Sequence, residues 1–579
     1  MVRPLLRNRP ARRSFMKNRN YIVRLILGST LMIASCLTLA ACGSPTGPTP
    51  PAVPGVPQGL DITTDGDGNS TLSWSSVSEA DSYKVYHSSD GIAAYSEVSS
   101  TTGISYLLPY YGWYKVSAVN EAGEGVKSAG VERVPPGGNP KADSPRFLNE
   151  SDDAEIVPGS YDEALSIKIS LETGGDAIYF TTDGTVPEVG NPAYLYGSPI
   201  NVTAGQTVTI TAIASGATGY SNSDAAVGTF HVRTWEVVGG AGFSGGEVWY
   251  VSLDLNDSGL PIVAFTDAST TPAYRAMVMG YDGSEWSTLG GSAISADAAT
   301  EIHISVDSDS ATYVAYKDES VSGKATVRRF SGSGWTTLGT AGFSSGTFIH
   351  ASLAVYDSGG NQIPYVSYKD SANSDKATVQ YYDGSWKTVG TAGFTPAGVL
   401  GTSLALRASD GIPWLAYIDA SQANKATVQR YEAGSWSLAG PAGLSTGTSE
   451  YLSLALDSSG TPYLAFRDGS LSGKATVMKY EGGAWSTVGS AGFSAGTAGY
   501  VTLAISSTGE PYVAYADGSQ SGKATLMRYH EGAWQELGSS GFSPGTSDYL
   551  KLVLDAECNA YVAFKDGNAS GRVTVMAWR

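Results

Sequence analysis

The chain has 579 residues, with 54 acidic against 36 basic side chains, 71 glycines, 34 tyrosines and three cysteines. A formal charge of −18 repels phosphate backbones and sets nucleic acid aside as a partner, while divalent cations and basic surfaces are attracted. The length supports several hydrophobic cores, and so few cysteines exclude a disulfide-stapled scaffold.

The opening segment to Arg24 holds eight basic residues and no acid, and residues 25–41 form an apolar run ending Leu39-Ala40-Ala41-Cys42. Seventeen residues are few for a membrane span, and the basic flank and small terminal residues fit a cleaved signal. The segment resembles a bacterial lipoprotein signal, whose specific element is Leu-Ala-Ala-Cys. That resemblance implies lipidation of Cys42, cleavage before it, and anchoring to the envelope through lipid alone. Gly43 and Ser44 follow with no Asp, which favours the outer membrane or cell surface. Arg12-Arg13 resembles a twin-arginine signal, but a start at Met16 leaves an ordinary leader, so Met1 and Met16 both stand as starts. Removing residues 1–41 leaves 28 basic against 54 acidic side chains, a net charge of −26, and Cys558 as the one cysteine besides Cys42, so no intramolecular disulfide is expected.

Residues 42–57 are a Pro/Gly/Thr-rich tether that stays extended. Residues 58–134 carry Leu72-Ser-Trp74, Tyr83-Lys-Val-Tyr86 and Tyr114-Lys-Val-Ser-Ala-Val-Asn120, and resemble a fibronectin type III domain. The resemblance implies a seven-stranded β-sandwich, read as a spacer since no Arg-Gly-Asp is present. Residues 143–233 carry Pro158-Gly-Ser-Tyr161, Ile178-Tyr-Phe-Thr-Thr-Asp-Gly184 and Thr211-Ala-Ile-Ala214, and resemble the chitobiase/β-hexosaminidase C-terminal-like domain. That resemblance implies a second, non-catalytic sandwich and raises the prospect of glycan contact.

Residues 234–579 repeat a unit of about 50 residues, marked by Trp235, Trp286, Trp335, Trp386, Trp436, Trp485 and Trp534. Each unit reads Trp-x-x-Val/Leu-Gly, then Ala-Gly-Phe-Ser, then three alternating runs, as at residues 451–457, 462–468 and 474–480. Four short strands per unit predict a seven-bladed β-propeller, so the fold class is all-β: two sandwiches and a ring. The frame is offset: residues 234–239 precede a whole unit, and residues 572–578 end one a strand short. Pairing of the two would latch the ring and remove both unsatisfied edges.

The recurring Trp reads as packing between sheets. Phe243, Phe343, Phe394, Phe493 and Phe542 read likewise, because Ile294 and Leu444 take the same seat elsewhere. Charged pairs recur six residues apart: Asp318 with Lys324, Asp370 with Lys376, Asp419 with Lys425, Asp468 with Lys474, Asp517 with Lys523 and Asp566 with Arg572. One reading is a hairpin clasp of little energetic weight. The other is a ligand face, because these hairpins and the loops between blades emerge on one side of the disc. The first unit departs from the pattern with Trp249, Tyr250, Pro272, Tyr274 and Arg275, marking a local site or the joint to the preceding sandwich. Glu301 and His303 fall on an inner strand and hint at a polar channel lining.

No metal or catalytic spacing links His87, His231, His303, His350 and His530, and no cofactor is expected, with a divalent cation left open. The reading is a monomeric, non-enzymatic binding or adhesion protein of the envelope, with a glycan or a surface protein as partner. The alternatives are an envelope assembly scaffold and a glycoside hydrolase or lyase with a propeller site, the last requiring a carboxylate pair.

Overall fold

The computed structural model describes residues 52–65, 69–89, 94–133, 140–217 and 220–579. Cys42, the residue expected to carry lipid, lies outside them, as do the leader and most of the tether. Among the described residues every regular element is a strand or a single 3-10 turn, and no helix is long and apolar enough to cross a membrane.

Residues 58–133 form two facing sheets. One holds Asp61–Thr64, Ser70–Ser73 and Ser105–Leu107, and the other is built on Ser82–Ser88 and Gly112–Asn120. Alternate inward residues Leu72, Trp74, Tyr83, Val85, Tyr114 and Val116 make its core. The Tyr114 hydroxyl donates to the Tyr110 carbonyl at 2.8 Å, and burial pushes its pKa up to about 12.

The second sandwich pairs Arg146–Asn149, Leu165–Ser170 and Ile200–Val202 in one sheet, and Gly159–Tyr161, Ala226–Val232, Thr207–Gly216 and Gly175–Thr181 in the other. Ile167, Val202, Ile210 and Phe230 are fully buried between them. It meets the ring through Asp162, which accepts from Arg233 at 3.1 Å, from Arg528 at 2.8 Å and from the Trp578 indole at 3.0 Å.

Seven four-stranded antiparallel sheets follow, each with its Trp strand outermost. Neighbouring inner strands pack side by side, and the seventh, Ser547–Leu554, packs against the first, Val248–Leu255, which closes the circle. The seventh sheet takes its outer strand, Trp235–Val237, from the beginning of the region: Trp235 lies opposite Trp578, and Val237 opposite Met576. Ring closure by the two extremities therefore stands as expected.

Alternation fails in the second strand of each blade. Pro462–Asp468 is buried at six of seven positions and Pro413–Asp419 at all seven. This strand is flanked by two neighbours within its sheet and by two other blades, so both of its faces are interior.

The tryptophans do more than fill gaps. Each indole donates to a main-chain carbonyl of the preceding blade, from Trp286 to Val238 at 2.8 Å round to Trp235 to Leu537 at 3.0 Å. Trp335, Trp386, Trp436, Trp485 and Trp534 complete the circle at 2.6–3.0 Å. The loop phenylalanines stack flat on these rings, Phe343 on Trp386 at 3.7 Å and Phe542 on Trp235 at 3.5 Å. The glycine after each Trp motif has no room for a side chain: a Cβ on Gly290, at φ +77°, would stand 2.7 Å from Trp335.

Candidate functional site

The repeated aspartates and loop serines are consumed by the fold. Asp318, Asp370, Asp419, Asp468, Asp517 and Asp566 are 0–3% exposed. Each caps the 3-10 turn that follows its strand, accepting from the amide two residues on, at 3.1 Å for Asp318 and 2.9 Å for Asp468. The second oxygen of Asp318, Asp370 and Asp566 accepts the hydroxyl of Thr326, Thr378 and Thr574 at 2.8–3.0 Å. The serine of the Ala-Gly-Phe-Ser loop is spent in the same way, Ser344 accepting from Ala325 and Ser543 from Ala524, both at 2.9 Å.

These aspartates were expected to form either a clasp with the base six residues on or a ligand rim. They form neither. Asp318 does lie opposite Lys324 across the hairpin, yet among the described residues Lys324, Lys376, Lys425, Lys474, Lys523 and Arg572 enter no ion pair. Turn capping turns the carboxylates inward, and a buried oxygen holding two donors has nothing left for a ligand.

What is not repeated lies on the axis. In every blade the inner strand carries a β-bulge near the loop face, as between Trp249 and Ser252 or between Asp548 and Lys551. The residue at its crest points to the channel mouth, and around the ring these are Tyr250, Glu301, His350, Gly401, Tyr451, Tyr500 and Tyr549. All but Gly401 sit at φ between +50° and +55°, a left-handed conformation that costs a bulky residue on the order of 1–3 kcal/mol. Strain at six equivalent seats has one geometric product: it aims these side chains at a common point.

Four of the seats form a continuous aromatic arc. Tyr451 to Tyr500, Tyr500 to Tyr549 and Tyr549 to Tyr250 have ring centroids 5.1, 5.4 and 5.3 Å apart. Trp249, 6.1 Å from Tyr549, extends the arc outward to Tyr274 at 6.4 Å, and both are 40% exposed. The irregular first blade thus adjoins the channel mouth, whereas the joint to the sandwich runs through the sixth and seventh blades, by Arg528 and Trp578. Arg275 serves its own blade, donating to the Ser295 carbonyl at 2.6 Å.

Glu301, His350 and Gly401 close the circle opposite the arc. One step deeper on each inner strand, Ser252, Ser352, Ser403, Ser453 and Thr502 accept an amide of the next blade's inner strand at 2.9–3.4 Å. In the remaining two blades this seat holds His303 and Lys551. Neither has a hydrogen-bond or ion-pair partner among the described residues. Burial along the channel wall, and then the Lys551 charge, hold the His303 imidazole down at about 3. Burial also lowers Lys551, against the opposing pull of the Glu301 carboxylate. His350 is lowered by burial, again opposed by Glu301.

Around these groups is an axial cavity of about 160 Å³, lined by Tyr250, Glu301, His303, Tyr500, Tyr549 and Lys551. It adjoins a vestibule of about 620 Å³ with His350, Gly401, Asn424 and Glu450 in its wall, and Glu301, Tyr451 and Lys551 line both. Glu301 and His303 were legible as channel residues. Lys551, His350 and the tyrosine arc were not, although the exchange of Ser or Thr for Lys at one seat of an aligned repeat marks Lys551. The other histidines have structural partners: His87 the Tyr111 carbonyl at 2.8 Å, His231 the Thr207 hydroxyl at 2.8 Å, and His530 the Glu510 carboxylate. Among the described residues no group of three or more His, Cys, Asp or Glu is placed to hold a metal ion.

Residues 156–226 match the family model of the chitobiase/beta-hexosaminidase C-terminal domain. Among solved structures, the chain is similar to the fucose-specific lectin from Aleuria aurantia, at 16% identity and a TM-score of 0.37, over 52% of this chain and 99% of that one. It is also similar to the SapL1 lectin in complex with alpha methyl fucoside, at 14% identity and a TM-score of 0.37, over 52% and 99%. A protein of unknown function from Dyadobacter fermentans matches at 12% identity and a TM-score of 0.35, over 60% and 99%. No curated protein matches the chain.

Proposed function

We propose that the ring is a non-catalytic carbohydrate-binding module that holds its ligand at the mouth of the axial channel. The observation that carries this reading is the four-tyrosine arc facing Glu301 and His350. A sugar ring has an apolar face of C–H groups and an equator of hydroxyls. Aromatic faces on one side and mixed donors and acceptors on the other match both at once. The strain stored at the six seats fits the same reading, since a fold with no use for those side chains has no reason to retain it.

The second sandwich supports it, since its family is appended to carbohydrate-active or surface proteins. The Leu-Ala-Ala-Cys sequence at Cys42 supports a lipid anchor in the cell envelope, with the tether and two sandwiches between it and the ring along the chain. A monomer is proposed, because both edges of the ring are already paired.

A glycan array probed with the purified protein tests the reading. Binding to a defined set of glycans is expected, and Tyr549→Ala should weaken it at least about tenfold, since loss of one stacking face is worth roughly 1.4 kcal/mol or more. Silence across all glycans, or full binding by the variant, removes the proposal. Anchoring is tested separately by Cys42→Ala, which should move the protein from the membrane to the soluble fraction.

A further inference from the structure

Sevenfold repetition suggests seven equivalent sites, yet the recurrent aspartates and loop serines are spent inside the blades, and unrepeated polar groups converge on a single place. We infer that the ring binds one uncharged sugar residue per molecule, seated on the axis between the tyrosine arc and the Glu301, His303 and Lys551 side chains. This rests on the carbohydrate reading above and adds to it a stoichiometry and a ligand class.

Three observations carry the stoichiometry. The six capping aspartates are buried and each accepts the amide two residues on, so no carboxylate recurs at the surface of the rim. The inner seat that serves the fold as Ser or Thr in five blades is His303 or Lys551 in two, and these two meet in the same cavity. The axial cavity of about 160 Å³ has the room of about five waters at about 30 Å³ each, enough to seat one pyranose ring beside the vestibule it adjoins.

Gly401 determines where that ring goes in. It is the one crest seat without a bulky side chain and without a left-handed backbone, and the gap it leaves is part of the vestibule. Six occupied seats and one open seat make an asymmetric opening in a nearly symmetric ring.

Charge carries the ligand class. The cavity holds one carboxylate, Glu301, and one amine, Lys551, each acting on the other. An acidic sugar would add a second negative charge beside Glu301, on a chain already at −18 overall. A neutral ring offers hydroxyls to both groups and upsets neither.

Isothermal titration calorimetry of the purified full chain decides this, using the methyl glycosides of glucose, galactose, mannose, fucose and N-acetylglucosamine beside glucuronate and N-acetylneuraminate. At least one neutral glycoside should bind with a stoichiometry of one and the two acids should not. Gly401→Tyr, which fills the vestibule at a backbone conformation any residue adopts, should weaken binding at least about tenfold. Lys551→Ser, which restores the residue that serves the fold elsewhere, should do the same with an unchanged or raised melting temperature, guarding against misfolding of the first variant. Lys474→Ala, on the rim and outside the cavity, should change nothing. A stoichiometry near seven, binding of the acids alone, or unaltered affinity in Lys551→Ser overturns the inference while leaving carbohydrate binding intact. No binding to any of the seven sugars, together with silence on the array, removes both.

Discussion

His303 and Lys551 occupy a position where a hydroxyl does more for the ring. In five blades that hydroxyl accepts an amide from the next inner strand, and in these two it is replaced by a titratable group without a partner. His303→Ser should therefore stabilise the protein by about 1 kcal/mol at neutral pH, the net worth of one recovered hydrogen bond. The gain should depend on pH with a defined sign. Because the folded-state pKa is depressed to about 3 from the ordinary imidazole value of 6.5, the unfolded chain takes up a proton that the folded one refuses. Wild-type stability attributable to this group is then fully present above about pH 6.5 and is lost as pH falls toward 3, so the advantage of His303→Ser grows over that window. Urea unfolding of both proteins at several pH values checks this; parallel curves would contradict it. Residues that cost stability where a cheaper one serves elsewhere in the same molecule are signs of function.

At the scale of elements, the three residues Trp235–Val237 carry a load out of proportion to their length. They complete the seventh sheet, supply one of seven indole hydrogen bonds and place Trp235 against Phe542. Deleting residues 234–240 should open the ring and produce either loss of folding or oligomers by strand exchange, read by size-exclusion chromatography and circular dichroism. A monomer with the original melting temperature would refute the latch. Four strands per blade, the outermost place of the Trp strand and the pairing of the extremities were legible because period, turn residues and offset are local properties of the chain. The burial of the second strand on both faces was not, since alternation presumes one wet face and in most blades that strand has none.

At the largest scale, within residues 138–579, one carboxylate joins the second sandwich to the ring. Asp162 of the second sandwich receives Arg233, Arg528 and the Trp578 indole, linking the sandwich to both the sixth and seventh blades. Asp162→Ala leaves two guanidinium groups without their anion at a site only 15–19% exposed, and should weaken the joint by about 2 kcal/mol. Differential scanning calorimetry should then resolve sandwich and ring as separate transitions, while the wild type melts as one; a single unchanged transition would show that the joint lies elsewhere.

The chain's own pattern determined an all-β seven-bladed ring closed by its own extremities, because strand period and repeat length follow from neighbours in sequence, while the two sandwiches were implied by resemblance to known domains. Only the tertiary structure decided what the repeated Asp and Ser residues do, and where an unrepeated site forms. Whether a carboxylate faces solvent or caps a turn depends on a few ångströms of backbone direction. Lys551 and Glu301, 250 residues apart, share a cavity only once the ring has brought the seventh inner strand round beside the first, which itself lies beside the second.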